Sequence, residues 1–237
     1  MASLSTATTK PTFARLDAAE PSTTPQNLIE AIKRDGGVIV ENFISRQLAD
    51  QIKADLKPHF DSDIPDKSGF FPVTTQRATG LFNISDADYH PHDKELPVMI
   101  GCVTALTKTT KENGATIGVP GSHLWDSERR PYDEEAVPAE LEPGDAFIFL
   151  GNLWHAGGKN ITQNEYRETV GIFLCKPTLR PAENQFLMVP LERARQLKPQ
   201  AQRLLGYGIC KPSLGFMNYQ DPMQVLFGVE DEETVVM

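Results

Sequence analysis

From Thr24 onward the apolar positions fall into short, separate patterns. Leu28, Ile29 and Ile32 share one helical face behind a hydroxyl-then-proline start at Thr24-Pro25, so the chain predicts a helix capped by Thr24 and ended at Gly36-Gly37. Val38-Ile39-Val40 reads as a short strand. Behind Ser45, Leu48, Ile52 and Leu56 recur every four residues and predict a second helix that stops at Pro58. From Phe60 to Asp93 the text is turn-like, punctuated by Pro65, Gly69, Pro72, Gly80 and Pro91. Beyond it the pattern becomes mostly β. Val98 to Leu106 and Ala115 to Val119 are apolar runs of strand length; Ala139 to Leu141 leads through Pro143-Gly144-Asp145 into Ala146 to Leu150; a last strand covers Glu168 to Lys176. Short strands separated by Gly/Pro turns, without helices between them, predict a mainly β sandwich or jelly roll with flanking helices. Pro190 to Leu205 reads as a late helix and Leu214 to Gly228 as a mixed apolar tail. Residues 1–22, rich in Ser, Thr, Ala and Pro, are expected to be a flexible arm, and 23–237 a single domain.

Composition narrows the function classes. A chain of 237 residues with 40% hydrophobic and 23% charged positions is an ordinary folded domain. Lys and Arg number 23 against 32 Asp and Glu, and the resulting net charge of -9 repels phosphate backbones and anionic lipid, so neither nucleic acid nor membrane is an expected partner. Met1 to Thr12 lacks the basic-then-apolar order of a secretory signal, which predicts a cytoplasmic protein. Cys102, Cys175 and Cys210 have no CxxC or zinc-like spacing and predict neither a disulfide nor a zinc site.

Five histidines are candidates for metal chemistry: His59, His90, His92, His123 and His155. Tyr89-His90-Pro91-His92-Asp93 is dense, but its proline makes it extended, so the two rings face opposite ways and the stretch reads as a solvated loop. His155 lies at a strand end before the flexible Gly157-Gly158. Arg167 follows twelve residues later, where a hairpin would bring its guanidinium, a bidentate partner for carboxylates, near the imidazole.

Several stretches together resemble the phytanoyl-CoA-dioxygenase-like (PhyH-like) iron(II)/2-oxoglutarate oxygenases. They are Lys111-Glu112-Asn113-Gly114-Ala115-Thr116, Val119-Pro120-Gly121-Ser122-His123-Leu124-Trp125, Glu142-Pro143-Gly144-Asp145, Trp154-His155-Ala156-Gly157-Gly158, and Arg167. The likeness is greatest to the fungal branch that tailors meroterpenoids and related secondary metabolites, and Asp221 to Gly228 fits that branch too. The resemblance implies a double-stranded β-helix, a distorted cupin-like jelly roll, with Fe(II) and 2-oxoglutarate as cofactors. It implies that His155 is the distal metal ligand, Arg167 the cosubstrate anchor and Thr116 a second cosubstrate contact.

The sequence departs from that pattern at the other two ligands. Alignment through Tyr89-His90-Pro91 puts Ser85 where the family's His belongs and Ala87 where its Asp belongs, and no His-x-Asp pair is read elsewhere to replace them. The chain also runs from Thr79-Gly80-Leu81-Phe82 almost directly into Asp86-Ala87-Asp88, where the resemblance implies a helix and core strands, so the jelly roll is read as truncated. No catalytic residue is assigned. The favoured reading is a non-catalytic subunit that scaffolds or stabilises an active homologue, as a heterodimer or else a homodimer, because losing two ligands of three destroys a facial triad and a truncated barrel exposes sheet edges. The alternatives are an active dioxygenase with improvised ligands among His90, His92, Asp88 and Asp93, a non-oxidative isomerase or binding protein for a terpenoid-type small molecule, and a gene model that skips a coding block.

Overall fold

The structure is a computed structural model describing residues 11–61, 98–126, 128–181, 183–211 and 214–229. The chain divides into two compact units, Met1–Phe173 and Leu174–Met237. In the first, α1 (Pro25–Asp35) begins as predicted. The Thr24 hydroxyl accepts from the Asn27 N–H at 3.3 Å, and the Asn27 side chain accepts from the Thr24 N–H at 2.9 Å. Gly36 ends the helix in the left-handed region at φ 80°. Strand β2 (Gly37–Glu41) follows, then α2 (Arg46–Asp61), capped by Ser45, whose hydroxyl accepts from the Leu48 N–H at 3.1 Å. Helix α2 passes through Pro58 instead of stopping there. Pro58 is three residues from the helix end, so it removes a single ladder bond, and the Lys57–Asp61 pair at 2.9 Å supports the last turn.

The expected flexible arm is corrected from residue 13. Phe13 is buried, and β1 (Ala14–Asp17) pairs in parallel with β2, from Ala14 opposite Val38 to Asp17 opposite Glu41. Too few apolar residues mark this stretch for periodicity to reveal it; a neighbouring strand and the core define it. Asp17 accepts from Asn42 Nδ2 and the Ala19 N–H, both at 2.8 Å, and these bonds hold its carboxyl below the usual carboxylate range.

With β3 (Met99–Ala105), β4 (Thr116–Gly118), β5 (Val137–Pro138), β6 (Ala146–Leu150), β7 (His155–Gly157) and β8 (Thr169–Cys175), the strands form two sheets, ordered β1-β2-β6-β3-β8 and β5-β4-β7. Between them lies a cluster that includes Phe13, Ile39, Leu141, Phe147, Phe149 and Leu153, with Val137 packed against it. The Phe147 ring stands 4.8 Å from that of Phe13 and 4.9 Å from that of Phe149. Sheet-rich with flanking helices, the architecture agrees with the fold class read from the sequence; the described strands form a two-sheet sandwich without closing a barrel. The predicted strand at Ala139–Leu141 shrinks to one bridge between Leu141 and Thr109.

The turn before β6 needs its glycine. Gly144 has φ +101°, and a methyl group there would stand 2.6 Å from the Ile44 carbonyl oxygen. Buried Asp145 holds the same turn by accepting from the N–H groups of Asn42 and Glu142, each at 3.0 Å.

The second unit is helical: α3 (Gln185–Met188), α4 (Leu191–Arg195), α5 (Pro199–Gln202) and α6 (Pro222–Phe227). The single helix expected over Pro190 to Leu205 is broken, because the proline at 199 drives Lys198 to an extended ψ of 151°. Its small core is Ala194, Tyr207 and Met223, with the rings of Phe186 and Phe227 at 5.0 and 4.9 Å from Tyr207. All three cysteines are free thiols.

Candidate functional site

Strands β4 and β7 pair antiparallel, with Thr116 opposite Gly157 and Gly118 opposite His155. Directly opposed residues, and residues two apart along a strand, share a face, so Thr116, His155 and the open side of Gly157 lie together. A methyl group at Gly157 would stand 3.7 Å from a guanidinium nitrogen of Arg167, which places Arg167 over that same face. The three residues singled out from the sequence are therefore gathered on one surface. The expected hairpin does not bring them there: β7 and β8 belong to different sheets, and Arg167, just ahead of β8, approaches from the opposing layer. Its backbone is anchored on both sides. The Thr107 hydroxyl donates to the Tyr166 carbonyl at 3.4 Å and accepts from the Glu168 N–H at 2.8 Å, and Leu106 N–H donates to the Glu168 carbonyl at 2.9 Å. The Glu168 carboxylate pairs with Lys53 at 3.1 Å.

His155 is half-buried, with its ring 4.5 Å from that of Phe149. Its Nδ1 lies 2.7 Å from the Leu153 carbonyl oxygen, an acceptor, so Nδ1 carries the proton and the lone pair is on Nε2. Burial pushes the imidazole below its ordinary 6.5, opposed by the bond to Leu153, so the ring is neutral near pH 7. A neutral ring with its lone pair on Nε2 is what a metal or a proton donor requires.

Much of the motif text turns out to be scaffold for this face. Buried Asn113 accepts from the Thr110 N–H at 2.7 Å and donates to the Lys108 carbonyl at 3.0 Å, closing the turn ahead of β4. Ser122, fully buried, accepts from the Trp154 N–H at 2.9 Å. His123 is buried, with Nε2 3.0 Å from the Lys33 carbonyl at the end of α1. It belongs to the packing between α1 and the β6–β7 connection. Ser122, Phe149 and the Leu153 carbonyl were not singled out from the sequence; the serine was visible inside the Val119 to Trp125 stretch, but its burial was not.

Fe(II) in a facial triad needs two imidazoles and a carboxylate. Among the described residues no three His, Cys, Asp or Glu side chains could hold a metal ion together. One His-x-Asp tripeptide does exist, His59-Phe60-Asp61, which corrects the sequence reading that found none. It lies on α2, where positions two apart are about 200° apart around the axis, and Asp61 is paired with Lys57. His90, His92, Asp88 and Asp93, together with Ser85 and Ala87, lie outside the described residues. The donors described here do not fit an iron triad, whereas Arg167 and Thr116 together suit a carboxylate.

The model of the phytanoyl-CoA dioxygenase (PhyH) family matches residues 62–169. Over that stretch the chain resembles the family. It is 42% identical to the dioxygenase swnH1 of Arthroderma benhamiae over 147 residues, covering 60% of this chain and 48% of the relative. It is 28% identical over 279 residues to the dioxygenase himG of Aspergillus japonicus, covering 84% of this chain and 86% of the relative. The swnH1 match thus spans about half of that relative's length. The himG alignment is longer than the 237 residues of this PhyH-like chain, so himG has residues without counterparts here. Among solved structures, the non-heme alpha-ketoglutarate-dependent epimerase SnoN shares 16% identity at a TM-score of 0.45, covering 62% of this chain and 81% of its own. No described helix of the PhyH-like chain is long and apolar enough to cross a membrane.

Proposed function

We propose that this chain is a non-catalytic PhyH-like subunit that scaffolds or stabilises a catalytically complete Fe(II)/2-oxoglutarate oxygenase homologue in fungal terpenoid or meroterpenoid biosynthesis. The observation that carries the reading is the imbalance of the site. His155, Arg167 and Thr116 share one face, while the aligned positions of the other two ligands hold Ser85 and Ala87. One imidazole does not replace two imidazoles and a carboxylate, so oxidation by this chain alone has no metal centre to start from. What the site can do is hold an anion: a guanidinium and a hydroxyl on one face make charge-assisted hydrogen bonds to a carboxylate such as that of 2-oxoglutarate. The himG alignment, longer than this chain, supports the reading of a missing block.

The test is to express the chain alone and together with a full-length homologue from the same gene neighbourhood, measuring iron content and 2-oxoglutarate-dependent succinate formation. The expected result is little iron and no turnover by the chain alone, with higher soluble yield or activity of the homologue in its presence. One tightly held iron per chain with turnover in isolation would overturn the proposal. So would a mature transcript encoding further residues between Phe82 and Asp86 that include a His-x-Asp pair.

A further inference from the structure

One peptide unit, Leu153–Trp154, makes two bonds that join separate parts of the fold. Its N–H, belonging to Trp154, donates to the buried hydroxyl of Ser122 at 2.9 Å. Its C=O, belonging to Leu153, accepts from Nδ1 of His155 at 2.7 Å. A trans peptide is planar with its N–H and C=O opposed, so a partner that fixes one end fixes the direction of the other. We infer that Ser122 is a positioning residue: by holding the Leu153–Trp154 peptide it aims the carbonyl that keeps His155 in its Nδ1–H tautomer and leaves the Nε2 lone pair to the site.

Three further contacts make the peptide a rigid lever. The Trp154 carbonyl accepts from the Val119 N–H at 2.9 Å, and the Leu153 N–H donates to the Leu150 carbonyl at 3.0 Å. Asn152 Nδ2 donates to the His123 carbonyl at 3.3 Å, joining the segment after Ser122 to the same connection. The Ser122 hydroxyl bonds to the Trp154 N–H and the ring bonds to the Leu153 carbonyl, so the serine acts on His155 through this peptide. Without its hydroxyl the Trp154 N–H loses an acceptor in a place that water does not reach, and the peptide must tilt to find another. A tilt swings the Leu153 carbonyl away from Nδ1 and frees the ring to take either tautomer. The inference concerns the imidazole itself and is independent of whether the chain oxidises anything.

The experiment uses the full chain labelled with ¹⁵N-histidine, with ring nitrogen spectra recorded above the titration of the imidazoles. His155 is assigned as the signal lost in His155→Gln. In the unmodified chain His155 should show a protonated Nδ1 and a bare Nε2. In Ser122→Ala that pattern should move towards a mixture of tautomers, with the signals of the other histidines unchanged, and Ser122→Thr, which returns a hydroxyl, should restore it. If Ser122→Ala does not fold, Ser122→Cys, with its weaker acceptor, is compared instead and should shift in the same direction. An Nε2–H tautomer in the unmodified chain overturns the inference whatever the variants do. So does a folded Ser122→Ala, or Ser122→Cys in its place, whose His155 spectrum is unchanged, since a hydroxyl that only contributes stability would leave the tautomer alone.

Discussion

Around His155 the large apolar side chains turn inward, with Phe147 at 0% and Leu153 at 2% exposure, whereas in the second unit Leu187 and Tyr219 stand 81% and 92% exposed. The first unit has two sheets to close over its aromatic cluster. The second has only short helices around Tyr207, and its turn at residues 214–220 stacks Phe216 on Tyr219 in solvent, with ring centroids 5.2 Å apart. Tyr132 and Tyr166 of the first unit are also exposed, but Phe216 and Tyr219 form a stacked pair, and paired aromatics are side chains that can anchor an interface. Under the proposed subunit role, the sandwich would hold the His155 face and the helical unit would offer apolar surface to another chain.

The largest effect expected is in the sandwich. Phe147→Ala should destabilise the protein by about 3–5 kcal/mol, because the ring is fully buried between Phe13 and Phe149. Denaturant melts would show it, and a loss under about 1 kcal/mol would mean that the cluster is not the core of this unit. Next, Arg167→Ala should weaken 2-oxoglutarate binding by about 1.5–3 kcal/mol, the size of a charge-assisted contact. Calorimetry checks it; equal binding by the variant would assign Arg167 to a purely structural role.

The second unit should respond in the opposite way. Replacing Phe216 and Tyr219 by Ala should leave the stability of the isolated chain within about 0.5 kcal/mol. The same variant should cost about 2 kcal/mol or more in association with the homologue, and deletion of Leu214 to Met237 should abolish support of its activity. Co-purification of the double variant at undiminished yield would remove this surface from the subunit reading.

The smallest effect is a pH dependence. Burial holds His155 below its ordinary 6.5, so between the two values the unfolded chain binds more protons than the folded one. The stability from keeping the ring neutral is fully present above 6.5 and is lost as pH falls through the lower folded value. Melting temperatures followed from about pH 7.5 to about pH 5 should therefore fall more steeply for the unmodified chain than for His155→Gln. Parallel curves would show that the ring is more accessible to water than the sandwich implies.

Local signals made the helix starts and several strands legible. Thr24, Pro25 and Gly36 bound α1 because capping and left-handed termination act within a few residues. The apolar runs found β2, β3, β6 and β8, and the Gly144-Asp145 turn was marked by its own residues. The motif text also led to His155, Thr116 and Arg167. It could not tell scaffold from site: Asn113, Ser122 and Asp145 stand in the same signatures, yet their side chains hold turns and strands together.

The sequence by itself determined where single elements begin and end and which residue types were at hand for carboxylate or metal chemistry. Tertiary structure alone decided that Phe13 and β1 join the core, that Arg167 reaches Gly157 from the opposing sheet, and that Ser122 meets the Trp154 N–H 32 positions away. The reason is range. Caps, turns and periodicity are set by neighbours a few residues apart, whereas the direction of one peptide beneath His155 depends on how two sheets and a buried hydroxyl pack, which no local pattern encodes.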